Sequence, residues 1–384
     1  MFKYLKMFLP EADPMIVNIN KATEPIKGMI KDAVYFSIPL GISFYTFQSL
    51  SYTFDVYFKK IIPQTNFFRY ATFVAYFPQL VAGPIERYNN LSSQIFSYFK
   101  PTYYNFSNGF RLLLMGFFLK MCIADNCGNY ADLVFNNYSS YNKFSIITGI
   151  SMFGLQIYAD FSGYSLIALG SARLMGIELM DNFRTPYLSS SISEFWKRWH
   201  ISLTSWFKDY LYIPLGGNKV SKLRWVFNIS LVFLISGLWH GANYTFVIWG
   251  AIHAVAYLTE SFIKPLINFS GSKFKLINLL GGIKTFVIVT FAWVFFRAVD
   301  FGSAIEILKA VFNSQAQQSI SISQNVIIVL IIFALFDIVL RNTRFDKFLE
   351  NKSLILRWSM YFLLLACILV FSVTTKHPFV YFQF

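Results

Sequence analysis

The sequence predicts an all-α polytopic membrane protein with re-entrant or interfacial amphipathic helices, and three observations carry that reading. Only 14% of the 384 residues are charged, whereas soluble domains carry roughly 25%. Hydrophobic residues make up 55% of the chain, with a mean hydropathy of +0.49, which is more apolar surface than a solvated or disordered chain can carry. Aromatic residues reach 20%, with 45 Phe and 23 Tyr, as suits a lipid-facing protein with aromatic belts at both interfaces.

A spanning helix needs about 20 apolar residues. By that criterion the candidate runs are roughly 34–58, 67–83, 107–124, 144–177, 225–240, 244–263, 276–296, 325–340 and 357–375. The runs 34–58 and 144–177 exceed one simple span, so each is expected to contain a break, a tilt or a second short helix. Gly149, Gly154, Gly163, Gly170 and Gly176 recur along the second of these, and small residues let helices approach closely.

The basic residues report orientation. Thirty-three Lys and Arg against 19 Asp and Glu give a net charge of +14. They fall in the gaps between apolar runs rather than along one stripe, which argues for the positive-inside rule and against nucleic-acid binding. Lys219, Lys222 and Arg224 place the start of the 225–240 run in the cytoplasm. Lys264, Lys273 and Lys275 return to that side, as do Arg341, Arg344, Lys347, Lys352 and Arg357, whereas 310–324 carries no charge. The tail from Lys376 to Phe384 is then outside. Lys3, Lys6, Lys21, Lys27 and Lys31 suggest an inside start, although Lys59 and Lys60 then fall outside. No cleavable signal is visible in residues 1–33, and Cys122, Cys127 and Cys367 form neither a disulfide framework nor a metal spacing.

One membrane domain over 1–384 is the economical organisation. It comprises a cytoplasmic N-terminal segment (1–33), N-terminal helices (34–177), a cytoplasmic or interfacial segment (178–224), a histidine-bearing helical hairpin (225–263) and C-terminal helices (264–384).

Ionisable groups in apolar surroundings are functional hypotheses by default, and three places hold them. In Ser193–Tyr210, SEFWKRWHISLTSWFKDY, a helical period puts Trp196, Trp199, Leu203, Phe207 and Tyr210 on one face, with Trp206 at its edge and His200 within the apolar arc. This predicts one amphipathic helix lying in the interface or folding back into the protein. His200 is then either an interfacial histidine held by a carbonyl or a functional group. His240 ends the 225–240 run and is followed by Gly241 and Ala242, which predicts little bulk shielding it from a substrate. An unperturbed imidazole can take or give a proton near neutrality, as acyl transfer to a hydroxyl requires; the plain alternative is a helix-end histidine at the headgroups. His253 lies about 20 Å further along if the helix is continuous, and neither histidine has an HExxH-type neighbour for zinc. His377 belongs to the polar tail. Asp160, in QIYADFSGY, needs a partner, for which Arg173 and Arg198 are the candidates. A Ser162 triad lacks its nucleophile elbow.

At this point the sequence resembles a known family. The stretches IPLGISFYTFQSLSYTFDVY (38–57), YFPQLVAGPIERY (76–88) and QIYADFSGYSLIALGSARLMGI (156–177) carry the likeness, followed by NFRTPYLSSSISEFWKRWHISLTSWFKDYLYIPLGGNK (182–219), SGLWHGANYTFVIWGAIH (236–253), FAWVFFRA (291–298) and HPFVYFQF (377–384). They resemble the membrane-bound O-acyltransferase (MBOAT) family, in its bacterial alginate O-acetyltransferase-like branch, related to the D-alanyl transfer proteins of teichoic acids.

The resemblance implies a ring of helices around a central tunnel, with His240 as the family's invariant histidine deep in it and His200 as a second one facing the cytoplasmic mouth. It implies transfer of an acyl group, acetyl-CoA being the expected donor substrate, to an exopolysaccharide hydroxyl. Transfer would be direct or through a periplasmic or extracellular acetyltransferase partner, from a multi-pass protein of the bacterial inner membrane. No bound cofactor or metal is implied. On this likeness Lys197, Arg198 and Trp199 are expected at the donor, and Trp239, Asp160, Asp209 and Tyr210 are further candidates for lining its path. The rival expectation is a transporter or flippase of envelope glycan precursors, using Asp160, His200 and His240 as relay groups. Members usually carry about 80–100 residues ahead of the point matching FKYLKMF, enough for two or three spans, so this sequence resembles one without its first helices.

Overall fold

The computed structural model describes residues 41–100, 102–264, 273–373 and 378–380, with the backbone alone for 273–278. The segment 1–33, residues 34–40 of the first run, and Lys376 and His377 lie outside the described residues. Among the described residues the elements are helical, and six helices are long and apolar enough to cross a membrane.

The chain enters through α1 (Ile42–Tyr57), then α2 (Phe67–Val74), α3 (Phe77–Leu80) and α4 (Tyr88–Ile95). The 67–83 run is therefore not a span. Its helix stops at Ala75, restarts at Phe77–Pro78 and ends before Gly83 and Pro84, because proline supplies no N–H to a continuing helix. Next come α5 (Tyr103–Phe117), a π-turn at Phe118–Ala124 and α6 (Asp125–Asn137), which together form one long segment.

The helix α7 (Lys143–Leu174) runs unbroken for 32 residues, about 48 Å at 1.5 Å per residue. Of the break, tilt or second short helix expected in 144–177, the break and the second helix do not occur. Its glycines serve packing instead. A Cβ on Gly170 would stand 2.8 Å from the Gly109 carbonyl oxygen, and one on Gly163 would stand 2.9 Å from that of Gly116. Two glycine pairs seven residues apart on each helix thus let α5 and α7 cross backbone to backbone, the contact that apolar solvent favours.

The 193–210 segment is not one helix. It divides into α8 (Ile192–Arg198) and α9 (Ile201–Phe207), followed by a π-turn at Lys208–Tyr212. The segment does fold back into the protein, since Trp196, Trp199, Leu203, Trp206 and Phe207 are all buried. Beyond it lie α10 (Lys222–His240) and α11 (Tyr244–Ile263), an antiparallel hairpin turning at 241–243. Then come α12 (Lys273–Arg297), α13 (Phe301–Asn313), α14 (Gln324–Val339), α15 (Phe345–Glu350) and α16 (Leu354–Phe371). In the tail Phe379 and Val380 are buried, with Phe379 packed on Phe161 and Tyr164 of α7.

Candidate active site

His200 occupies the break between α8 and α9. Its backbone is left-handed, at φ 43°, a conformation a side-chain-bearing residue adopts only when its surroundings enforce it. The enforcing element is the extended segment at Asn182–Arg184. Arg184 N–H donates to the Arg198 carbonyl (3.0 Å) and Ile201 N–H to the Asn182 carbonyl (2.9 Å), so the segment clamps both sides of the break.

The Asn182 side chain fixes the imidazole. Its Oδ1 accepts from Ser202 N–H at 3.3 Å and Ser202 Oγ at 2.6 Å, and its Nδ2 donates to Ser165 Oγ at 3.2 Å. A backbone N–H can only donate, so the amide oxygen faces this side. His200 Nδ1, 3.3 Å from the same oxygen, therefore carries the proton and Nε2 carries the lone pair. Burial, with 1% of the residue exposed, pushes the His200 imidazole down to about 3, so it is neutral around pH 7. Its Nε2 has no hydrogen-bond partner among the described residues.

His240 closes α10 and is 8% exposed. Its ring stands edge-on to Trp239 (4.7 Å), Trp249 (5.2 Å) and Phe296 (5.1 Å). The expectation that Gly241 opens its flank is not met. The space where a Cβ would go is filled by the Phe246 ring, 2.1 Å away, so the glycine admits an aromatic wall rather than a substrate.

Trp239 joins the two histidines. Its ring lies 6.3 Å from His200 and 4.7 Å from His240, with Phe44 at 6.0 Å and Phe47 at 5.2 Å on α1. A histidine in the charge-assigned cytoplasmic segment and one at the far end of α10 thus share one indole. The hairpin also brings back His253, which a continuous helix would have carried away. Trp249 contacts both His240 and His253 (4.9 Å), and Trp196 Nε1–H donates to His253 Nδ1 at 3.3 Å.

The other candidates are placed elsewhere. Trp199 is buried in the core between Phe195, Phe183 and Trp293 and cannot face a soluble donor. Arg198 is committed to Glu194 (3.0 Å) and to the carbonyls of Arg184 and Arg341, where it ties the clamp to the α14–α15 loop. Lys197 is exposed. Asp209 pairs with Arg87 at 3.3 Å, and Tyr210 donates to Asp55 at 2.8 Å; both hold the π-turn to the N-terminal helices. Asp160 pairs with neither Arg173 nor Arg198. Lys120, presented by the π-turn after α5, reaches it at 2.9 Å, and Val380 N–H donates to it at 2.6 Å, while Arg173 goes to Glu178. Asp160 therefore fastens the C-terminal tail over α7.

The chain also matches known proteins in sequence. The profile of "MBOAT, membrane-bound O-acyltransferase family" matches residues 33–298. The "Probable alginate O-acetylase AlgI" of Pseudomonas aeruginosa is 41% identical over 276 residues, covering 72% of this chain and 52% of that protein. The "Peptidoglycan O-acetyltransferase" of Helicobacter pylori is 37% identical over 306 residues, covering 72% and 57%. The "Teichoic acid D-alanyltransferase" of Bacillus subtilis is 29% identical, covering 59% of each. The chain spans about half the length of the first of these relatives.

Proposed function

Because the chain belongs to the membrane-bound O-acyltransferase family and is a multi-pass membrane protein, we propose that it transfers an acyl group, acetyl in the first instance, to a hydroxyl of an extracytoplasmic polysaccharide. The observation that carries the reading is the pair of buried histidines sharing Trp239. One belongs to the segment whose flanking charges assign it to the cytoplasm; the other ends a helix that starts there.

His240 acts as general base on the accepting hydroxyl, with a transient acyl-histidine as the alternative chemistry. His200 is neutral with its lone pair on Nε2, so it accepts a proton or a hydrogen bond and has none to give. That favours a role in positioning the donor over protonating a leaving thiolate. Acetyl-CoA supplies the acyl group from the cytoplasm, and the acceptor is reached directly or through an extracytoplasmic acetyltransferase partner. The protein resides in a bacterial cytoplasmic membrane with Lys219–Arg224 and Arg341–Arg357 inside.

The test is the alkali-labile acetate of envelope polysaccharide in a host without its own envelope O-acetyltransferase. Cells expressing the chain together with its neighbouring envelope genes gain ester-linked acetate over cells expressing those genes alone. Equal acetate in the two would remove the proposed activity.

A further inference from the structure

An apolar groove of about 550 Å³ lies between the Pro186–Leu188 turn and α12. Leu279, Gly282, Ile283 and Phe286 line it at the i, i+3, i+4, i+7 spacing of one helix face. A Cβ on Gly282 would meet only the Ser189 carbonyl oxygen, at 3.9 Å, so the absence of a side chain there keeps the groove open. The facing wall is the Tyr187 ring, 5.3 Å from that of Phe286. It is held in place from behind: its hydroxyl donates to the Gly154 carbonyl at 2.6 Å and accepts from Trp293 Nε1–H at 3.0 Å.

Sequence position sets the depth of the groove. Leu279 opens the apolar span Leu279–Arg297, just after the basic residues Lys273 and Lys275 that mark the cytoplasmic side. From Leu279 to Phe286 the helix rises about 10 Å, which carries the groove from headgroup depth into the acyl region of the cytoplasmic leaflet. Leu279 and Ile283 are exposed along it. Arg341 completes the lining from the α14–α15 loop, which the charge pattern also assigns to the cytoplasm. Its carbonyl accepts from Arg198 Nη1 at 3.0 Å, which fixes the backbone. Its guanidinium is exposed and has no hydrogen-bond or ion-pair partner among the described residues. No carboxylate lines the groove, and Lys284, beside it on α12, is held by Glu260.

An apolar trough in the leaflet with an uncommitted guanidinium at its cytoplasmic side has the polarity of an anionic phospholipid. We propose that the groove binds one such lipid of the cytoplasmic leaflet, with its phosphate on Arg341 and one acyl chain laid over Gly282 against Leu279, Ile283 and Phe286. Arginine can engage two phosphate oxygens at once, and basic pockets between membrane helices on the cytoplasmic side suit lipid headgroups. The Tyr187 wall follows directly on the Asn182–Arg184 clamp around His200, so the lipid packs against the element that fixes that histidine.

The experiment combines native mass spectrometry with thermal melting of the full chain in detergent. The delipidated protein is titrated with phosphatidylglycerol, with phosphatidylcholine of the same chains and with glycerol 3-phosphate, for wild type, Arg341→Gln and Gly282→Leu. Wild type is expected to hold one phosphatidylglycerol in preference to phosphatidylcholine and to melt higher with it. Loss of a charge-assisted hydrogen bond predicts about tenfold weaker phosphatidylglycerol binding in Arg341→Gln, with phosphatidylcholine bound as by wild type. Gly282→Leu fills the groove and is expected to lose both lipids. Neither change removes a hydrogen bond seen among the described residues, and leucine is a better helix former than glycine, so the lipid-free midpoints stay level or rise. Equal affinity of wild type for the two lipids overturns the proposal, as does unchanged phosphatidylglycerol affinity in either variant or a loss that tracks a falling lipid-free midpoint. Displacement of the lipid by glycerol 3-phosphate at matching concentration would assign the site to a free phosphate instead. A wild-type dimer that Gly282→Leu dissociates would assign the groove to a second copy, and either result overturns the lipid assignment.

Discussion

His240→Ala is expected to lower acyl transfer by about 10²–10⁴-fold, the range a positioned general base contributes. The histidine is the last residue of α10, its ring is walled by Trp239, Trp249 and Phe296, and the hairpin packs through other residues. The cavity left among those rings lowers the thermal midpoint somewhat, but the rate falls far more than the folded fraction does. His240→Gln separates basicity from bulk, since it refills much of the volume and can still form a hydrogen bond. It is expected to fall as far as alanine. A glutamine variant that keeps most of the wild-type rate would assign His240 to packing or orientation instead.

Gly237→Leu is expected to have the largest effect on folding. A Cβ at Gly237 would lie 2.2 Å from the Phe246 carbonyl oxygen, and one at Gly250 would lie 2.4 Å from that of Phe233. Both obstacles are backbone atoms of the facing helix, so no rotamer change relieves them. The two helices must separate, which displaces His240 and Trp249 together. Overpacking of this kind costs about 3 kcal/mol or more, a large part of the roughly 5–15 kcal/mol that holds a typical domain folded. The expected result is loss of the protein from the membrane fraction or a much lower thermal midpoint. Gly282→Ala provides the contrast, since its Cβ would meet only the Ser189 carbonyl at 3.9 Å; its abundance should match wild type.

Hydropathy made several of the C-terminal helices legible to within a few residues, although α13 and α15 were missed. The 244–263 run coincides with α11, and 225–240 and 325–340 differ from α10 and α14 by three residues or fewer. These helices face lipid over much of their surface, so composition alone marks them. The central segment was not legible, because its shape is imposed from elsewhere. A helical period continues through Trp199 and His200 without registering that Asn182–Arg184 competes for the same backbone groups. The residue that sets the tautomer, Asn182, lies 18 positions upstream of His200 and offers no local signal. Lys120 was hidden in the same way: within an apolar run it reads as an interruption, and only a π-turn, which adds a residue to the helix, brings it to Asp160.

Both principal histidines were visible as ionisable groups in apolar sequence and through the family likeness. That they share one indole was not, because it depends on the 193–210 segment entering the core. Asp337 illustrates a different blind spot. One acid near the end of an apolar run looks like a helix boundary until the fold shows it against Tyr158 and a cavity.

The central claim is vectorial acyl transfer through the His200–Trp239–His240 cluster. Its most direct measurement uses proteoliposomes in one orientation, with isotopically labelled acetyl-CoA on the face bearing Arg344 and a polysaccharide or partner acetyltransferase confined to the other side. The account predicts label esterified on the far side with wild type and background label with His240→Ala. Equal far-side label for the two proteins, or label appearing only on the donor side, would contradict it.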